Sequence, residues 1–160
     1  MASDPITRAE TASLAARVYT LVRACPKGRV TTYGWLAAAI GYPRGARMVG
    51  WMMNVVPKGS DVPAQRVINS KGELTGSWAF GQRGRMRKML EDEGVEFDTA
   101  ERVSLKLFGW NPTTDLTDQE RETILNAADI SSVTVDDELL RLLRDDPASP
   151  FRIVRDPDAQ

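Results

Sequence analysis

Apolar residues recur at helical spacing from the start of the chain. Leu14, Val18, Leu21 and Val22 stand at i, i+4, i+7 and i+8, which predicts an amphipathic helix over Ala12 to Ala24 with Thr11 as its N-cap. Pro26 and Gly28 end it. In Val30-Thr31-Thr32-Tyr33-Gly34-Trp35-Leu36-Ala37-Ala38-Ala39-Ile40-Gly41, Thr32 is placed to accept backbone N–H groups at the start of a short helix, and Gly41 to stop it. A turn at Tyr42-Pro43 leads to a further helix over Arg44 to Asn54, with Met48, Trp51 and Met52 on one side and Arg44 and Arg47 on another. Two short helices across a tight turn form a helix-turn-helix, whose second helix commonly enters a DNA groove. The same spacing also fits αα-hairpins of every function.

Downstream, Ala64 to Asn69 reads as a compact turn running into a short strand, and Ser70-Lys71-Gly72 as a turn. Thr75 to Gly84 has three glycines with Trp78 and Phe80 between them, a composition suited to a mobile loop carrying aromatic faces. A helix resumes over Gln82 to Glu93, with Met86, Met89 and Leu90 apolar and Gly94 at C′. Val103, Leu105 and Leu107 alternate with polar neighbours and predict a strand. Asn111 to Asp115 reads as a linker. Thr117-Asp118-Gln119-Glu120 is a capping box opening a helix to about Ala128, and Val135 to Arg144 is a second helix whose Leu139/Leu143 face suits core packing. From Asp145 the chain is polar and Pro-containing, and disorder is expected. The predicted fold is mainly α with a small β-hairpin, divided into a tail (1–11), a domain (12–110) and an extension (111–160) with two helices.

Composition narrows the chemistry. The 160 residues are 42% hydrophobic and 27% charged, as in a soluble globular protein, and no apolar run approaches the ~20 residues that cross a bilayer. Met1 to Glu10 lacks the basic and apolar regions of a secretory signal, so an intracellular location with no membrane association is expected. Histidine is absent and Cys25 is the one cysteine. That excludes Ser-His-Asp and Cys-His catalysis, HExxH zinc sites and cysteine-rich metal clusters; no metal or cofactor is expected.

Charge is segregated. Residues 1–97 carry 14 Lys+Arg against 8 Asp+Glu, net +6, and residues 98–160 carry 7 against 14, net −7. Between Arg23 and Lys88 the balance is 12 basic against Asp61 and Glu73, net +10. A polyanion partner accounts for such a stretch; so does a solvated basic face balanced by the acidic extension.

Four blocks then stand out: Pro26-Lys27-Gly28-Arg29-Val30-Thr31-Thr32-Tyr33-Gly34, Gly45-Ala46-Arg47-Met48-Val49-Gly50, Pro63-Ala64-Gln65-Arg66-Val67-Ile68 and Leu90-Glu91-Asp92-Glu93-Gly94. In order and spacing they resemble the winged-helix-like, DNA-binding C-terminal domain of the O6-alkylguanine-DNA alkyltransferases. The resemblance is closer to the alkyltransferase-like proteins that lack the reactive cysteine, and it spans about residues 12 to 110. The family's Pro-Cys-His-Arg motif reads Pro63-Ala64-Gln65-Arg66 here. Ala64 has no nucleophile, Gln65 cannot relay a proton, and Glu93, which matches the third partner, is left with nothing to orient. The resemblance therefore implies no alkyl transfer and no enzyme activity. Cys25, outside the motif, reads as a buried structural thiol.

What the resemblance does imply is recognition of O6-alkylguanine in double-stranded DNA by rotating the nucleotide out of the helix. Tyr33 matches the tyrosine that promotes rotation, and Arg47 the arginine that fills the vacated stack. The lesion pocket would be formed by Met53, Ala64, Gln65, Val67, Ile68, Trp78, Ala79, Phe80 and Gly81. Phosphates would be held by Thr32, Arg44, Arg66, Arg83 and Arg85. Alkyltransferase-like proteins usually carry Trp where this chain has Ala64, and a methyl group there leaves a roomier floor for larger adducts. The implied protein acts as a monomer with the cell's DNA, in nucleus or nucleoid, and hands the lesion to nucleotide excision repair. Two alternatives remain open on the residues alone: a helix-turn-helix regulator or architectural module without lesion preference, and an interaction scaffold whose acidic extension is the working part.

Overall fold

The computed structural model describes residues 4–57, 59–75 and 83–153, with Arg83 by its backbone only. The first helix, α1 (Arg8–Ala24), begins before Ala12, because Thr7-Arg8-Ala9-Glu10 is itself a capping box. Thr7 Oγ1 accepts from the Glu10 amide at 3.0 Å, and Glu10 Oε1 accepts from the Thr7 amide at 3.3 Å. Thr11, the expected cap, lies buried inside the helix and donates its hydroxyl to the Thr7 carbonyl. Leu14, Val18, Leu21 and Val22 are buried as their spacing predicts.

Next come β1 (Thr31–Thr32), α2 (Tyr33–Ala39) and α3 (Ala46–Asn54), then a 3-10 turn over Ala64–Arg66 that runs directly into β2 (Val67–Ile68). As expected, Thr32 caps α2, accepting from the Trp35 amide at 3.0 Å. The two strands pair in parallel, Thr31 opposite Val67 and Thr32 opposite Ile68. Among the described residues the β-hairpin is thus corrected to a β–α–α–β crossover: the turn at Asn69–Gly72 does close, with the Gly72 amide on the Asn69 carbonyl at 3.1 Å, but Glu73–Thr75 form no return strand. Parallel strands need a long connection, which α2 and α3 supply.

After α4 (Arg83–Asp92), the predicted strand at Val103–Leu107 is instead a short helix, α5 (Leu105–Phe108). Ser104 accepts from the Leu107 amide at 3.3 Å and diverts the backbone from the sheet. Val103 keeps only a single bridge to Phe97. Helices α6 (Asp118–Asn126) and α7 (Asp137–Asp145) follow, α6 opening with the predicted Thr117/Glu120 capping box. The expected disorder from Asp145 does not hold for 146–153. Ser149 Oγ donates to the Leu143 carbonyl, the Ile153 amide to the Arg144 carbonyl at 2.9 Å, and the Phe151 ring lies 5.0 Å from that of Tyr42.

Two apolar clusters hold these elements together. One joins Ile6, α1, α2, α3, Val62 and Val67 to Val135, Leu139, Leu140 and Leu143 of the extension. The other joins Val30, Ile68, Met86, Leu90, Val95 and Val103. Successive strand residues face opposite ways, so Val67 enters the first cluster and Its neighbour Ile68 the second. The turn carrying Ala64 and Gln65 therefore sits at their junction.

Candidate nucleic-acid interface

The helix pair presents its charge at the start of its second member. Gly45 precedes α3 without a side-chain cap, and Arg44 and Arg47, on either side of it, are both exposed. Neither forms an ion pair among the described residues. Tyr33, the first residue of α2, is half-buried, and its ring lies where a Cβ on Gly50 of α3 would stand 4.0 Å from Cδ1. Burial pushes its phenol above the ordinary tyrosine range, with a hydrogen bond to Thr75 pulling the other way.

Behind α3 opens a cavity of about 460 Å³, inside the ~300–1,000 Å³ range of small-ligand sites. Met53, Ala64 and Gln65, three of the residues that the resemblance assigns to a lesion pocket, line it, and Arg85 of α4 stands on its wall. Met53 lies six residues beyond Arg47, about 9 Å along the helix axis at 1.5 Å per residue. Val67 and Ile68 do not line the cavity: at 1% and 0% exposure they are core residues of β2. Trp78, Ala79, Phe80 and Gly81 lie outside the described residues. The sequence reading missed Val56, Pro57, Val62, Pro63 and Met89. Their signal was present, since Val62 and Pro63 immediately precede Ala64, and Met89 stands one helical turn from Arg85. Asp61, also on the wall, is bridged by Arg23 of α1 at 2.9 Å.

Two expected phosphate contacts are occupied inside the protein. Arg66 donates from Nε to Glu93 Oε1 at 2.6 Å and from a terminal nitrogen to the Cys25 carbonyl at 2.9 Å. Side-chain exposures are only 15% and 8% for Arg66 and Glu93, so this arginine joins three segments and does not face a ligand. Thr32 is buried, with its hydroxyl oxygen used as the cap of α2. Arg85 and Arg44 remain exposed; of Arg83 only the backbone is described.

Glu93 is not idle. Its second oxygen, Oε2, accepts from Gln65 Nε2 at 2.9 Å, so the carboxylate holds both residues that follow Ala64. Gly94, in the left-handed region at φ +96°, ends α4 in the predicted C′ position. Gly28, at φ +88°, lets the first block pass close to Glu93: a Cβ there would stand 3.1 Å from the Glu93 carbonyl oxygen. Cys25 is buried, and burial, the largest influence, pushes its thiol up to about 12, with Arg66 and Arg29 pulling it down and Glu93 up. A thiol so placed is neutral and unreactive near pH 7.

The 6-O-methylguanine DNA methyltransferase, DNA binding domain, matches residues 13–95. A DNA base-flipping protein of Vibrio parahaemolyticus is 36% identical over 96 residues, which span 60% of this chain and 94% of the relative. Alkyltransferase-like protein 1 of Schizosaccharomyces pombe is 35% identical over 100 residues, spanning 60% and 93%. Among solved structures, the S. pombe protein in complex with damaged DNA containing O6-carboxymethylguanine superposes with a TM-score of 0.56 at 35% identity, covering 62% of this chain and 95% of that one. With more than half the sequence inside the family's DNA-binding domain and near-complete coverage of these relatives, this protein belongs to the 6-O-methylguanine DNA methyltransferase family, on its alkyltransferase-like side.

Proposed function

We propose that this protein is a non-enzymatic sensor of O6-alkylguanine in double-stranded DNA. The supporting observation is the cavity behind α3, with Ala64, a residue that cannot form a covalent bond, on its wall. Helix α3 enters the minor groove and Arg44 meets phosphates. Tyr33 promotes rotation of the damaged nucleotide, Arg47 takes its place in the stack, and the base enters the cavity. Extrusion costs a few kcal/mol, which the cavity returns for a base that fits. No bond is made or broken, because Ala64 has no thiolate and Cys25 is buried. The complex persists as a marker for nucleotide excision repair, and a monomer suffices for each step.

The test is a titration of the purified protein against duplexes with and without O6-methylguanine. Tighter binding of the modified duplex is expected, and Arg47→Ala and Tyr33→Ala should each weaken it far more than Lys106→Ala. Equal affinities for the two duplexes, with steep salt dependence, would leave a DNA-binding module without lesion preference and overturn the sensor reading. Transfer of a radiolabelled alkyl group to the protein would overturn the non-enzymatic part.

A further inference from the structure

The end of the extension returns to the turn of the helix pair. After α7, the buried Ser149 donates its hydroxyl to the Leu143 carbonyl and accepts from the Phe151 amide at 3.1 Å. The Arg152 and Ile153 amides donate to the Ser149 and Arg144 carbonyls at 3.3 and 2.9 Å. These bonds fix the backbone of 149–153 on the last turn of α7, and α7 in turn packs on α3. Phe151 is thereby set against Tyr42, the ring centroids 5.0 Å apart. Tyr42 opens the turn between α2 and α3. That turn closes with the Gly45 amide on the Tyr42 carbonyl at 2.7 Å and carries the exposed Arg44.

Charge gives that contact a consequence. The extension is acidic as a whole, yet between Asp146 and Arg155 the one charged residue is Arg152. It is exposed and joins no ion pair among the described residues. Asp146, the acid that precedes it in the chain, uses a carboxylate oxygen on the Ala148 amide at 2.8 Å. Arg44 stands two residues from one ring of the aromatic pair and Arg152 one residue from the other. At ~3.8 Å between consecutive Cα atoms, each lies within about 8 Å of its ring-bearing neighbour along the backbone. We propose that the end of the extension widens the DNA-binding surface: Arg152 holds a backbone phosphate near the one met by Arg44, and Phe151 is the positioning residue that keeps it there. A guanidinium suits the role, being always charged and matching phosphate oxygens with its planar fork. This inference rests on the DNA-binding part of the sensor reading and adds a contact from beyond residues 13–95, the span shared with the family.

The experiment measures the affinity of the full chain for an unmodified duplex between about 50 and 200 mM NaCl, where each phosphate contact contributes about 0.9 to the slope of log K against log salt. In Arg152→Ala the slope should become shallower by about 0.9, so that the loss of affinity is about 3.5-fold greater at the low-salt end than at the high. Arg44→Ala should do the same, and Arg152→Lys, which keeps the charge, should hold the slope. Arg141→Ala removes an equal charge from α7, where Arg141 is exposed and paired with Glu138, and should leave the slope unchanged. Phe151→Ala should lose the share of Arg152, and Phe151→Tyr, which keeps a ring at that position, should retain it. Urea midpoints establish that each variant is folded. An unaltered slope in Arg152→Ala while Arg44→Ala is shallower, or a change that Arg141→Ala reproduces, would overturn the proposal. An unaltered slope in folded Phe151→Ala would remove the positioning role. If Arg44→Ala is also without effect, or the duplex is not bound at all, the DNA-binding reading fails as well.

Discussion

Replacing Leu143 with alanine tests whether the extension belongs to the same folding unit as the DNA-binding region. Leu143 has no exposed surface and sits with Leu139, Leu140 and Val135 in the cluster that contains α1 and α3. Further ties cross the same boundary: Arg8 of α1 reaches Asp137 and the Val135 carbonyl, and Arg144 of α7 donates to the Ile6 carbonyl at 3.1 Å. Exposed ion pairs such as Arg8–Asp137 contribute under about 1 kcal/mol, so the apolar contacts dominate. Truncating a fully buried leucine costs about 2–5 kcal/mol, the spread reflecting how far the site collapses around the lost atoms. Single domains are stable by about 5–15 kcal/mol, so the loss is a large fraction of the whole.

The chain has a convenient reporter. All four tryptophans, Trp35, Trp51, Trp78 and Trp110, precede the extension, so urea unfolding followed by tryptophan fluorescence sees the first 110 residues, whereas circular dichroism sees every helix. With a slope near 2 kcal/mol/M, Leu143→Ala should lower the fluorescence midpoint by about 1–2.5 M and the dichroism midpoint equally. Leu107→Ala, at a position 67% exposed, should shift neither by more than about 0.3 M. If Leu143→Ala leaves the fluorescence transition in place while helix content is lost separately at low urea, the extension is an independent appendage and the shared-core argument is wrong.

Arg66→Ala should cost about 3–5 kcal/mol, because it strands the largely buried carboxylate of Glu93; a stable variant whose only defect is weaker DNA binding at low salt would instead make Arg66 a phosphate contact. Alkaline pH should destabilise the fold. Cys25 and Tyr19 are both pushed up to about 12, chiefly by burial, so above about pH 9 the unfolded chain releases protons that the folded one retains, and stability present below that pH is lost as pH rises. Urea midpoints should therefore fall between pH 8.5 and 10.5, by less in Cys25→Ala; a midpoint that rises across this interval refutes the sign.

Periodicity and capping chemistry made the helices legible. The Thr117/Glu120 box marks the start of α6 in the sequence, and the equivalent box at Thr7/Glu10 is obscured there by Thr11, which stands closer to the periodic apolar run from Leu14. The short strands were less legible, since a two-residue pair gains its partner from the crossover and not from its own pattern: Val67-Ile68 looks the same whether it pairs with a neighbour or with Thr31-Thr32. Leu105 and Leu107 alternate as a strand would, yet Leu107 is exposed and Ser104 caps a helical turn there. At the site, Ala64 and Gln65 belong to the third block, whereas Met53 lies three residues beyond the second, and all three line the cavity. Arg66, read as a surface cation, proved to be an internal one, because nothing in the local sequence shows that Glu93, 27 residues on, comes to meet it.

Glu93 also shows why the loss of a reactive centre need not empty the site of charge. In an alkyl-transferring site the corresponding carboxylate serves a proton relay, and its value depends on a base and a thiolate being present. Here histidine is absent, Ala64 stands at the position of the family's cysteine, and Cys25, the one thiol, is buried with its pKa pushed up to about 12. The carboxylate is nevertheless satisfied on both oxygens, by Arg66 and Gln65, and those two bonds fasten the 3-10 turn at Ala64–Arg66 to the end of α4, while Arg66 fastens it to the end of α1. Removing Arg66 or Glu93 alone would leave the other's charge largely buried without its ion partner. The ion pair and the amide bond together hold Ala64 and Gln65, which line the cavity, against the end of α4. On the sensor reading proposed above, no chemical step consumes the bound base, so the lifetime of the complex rests on dissociation alone and a wall held in one position serves it directly.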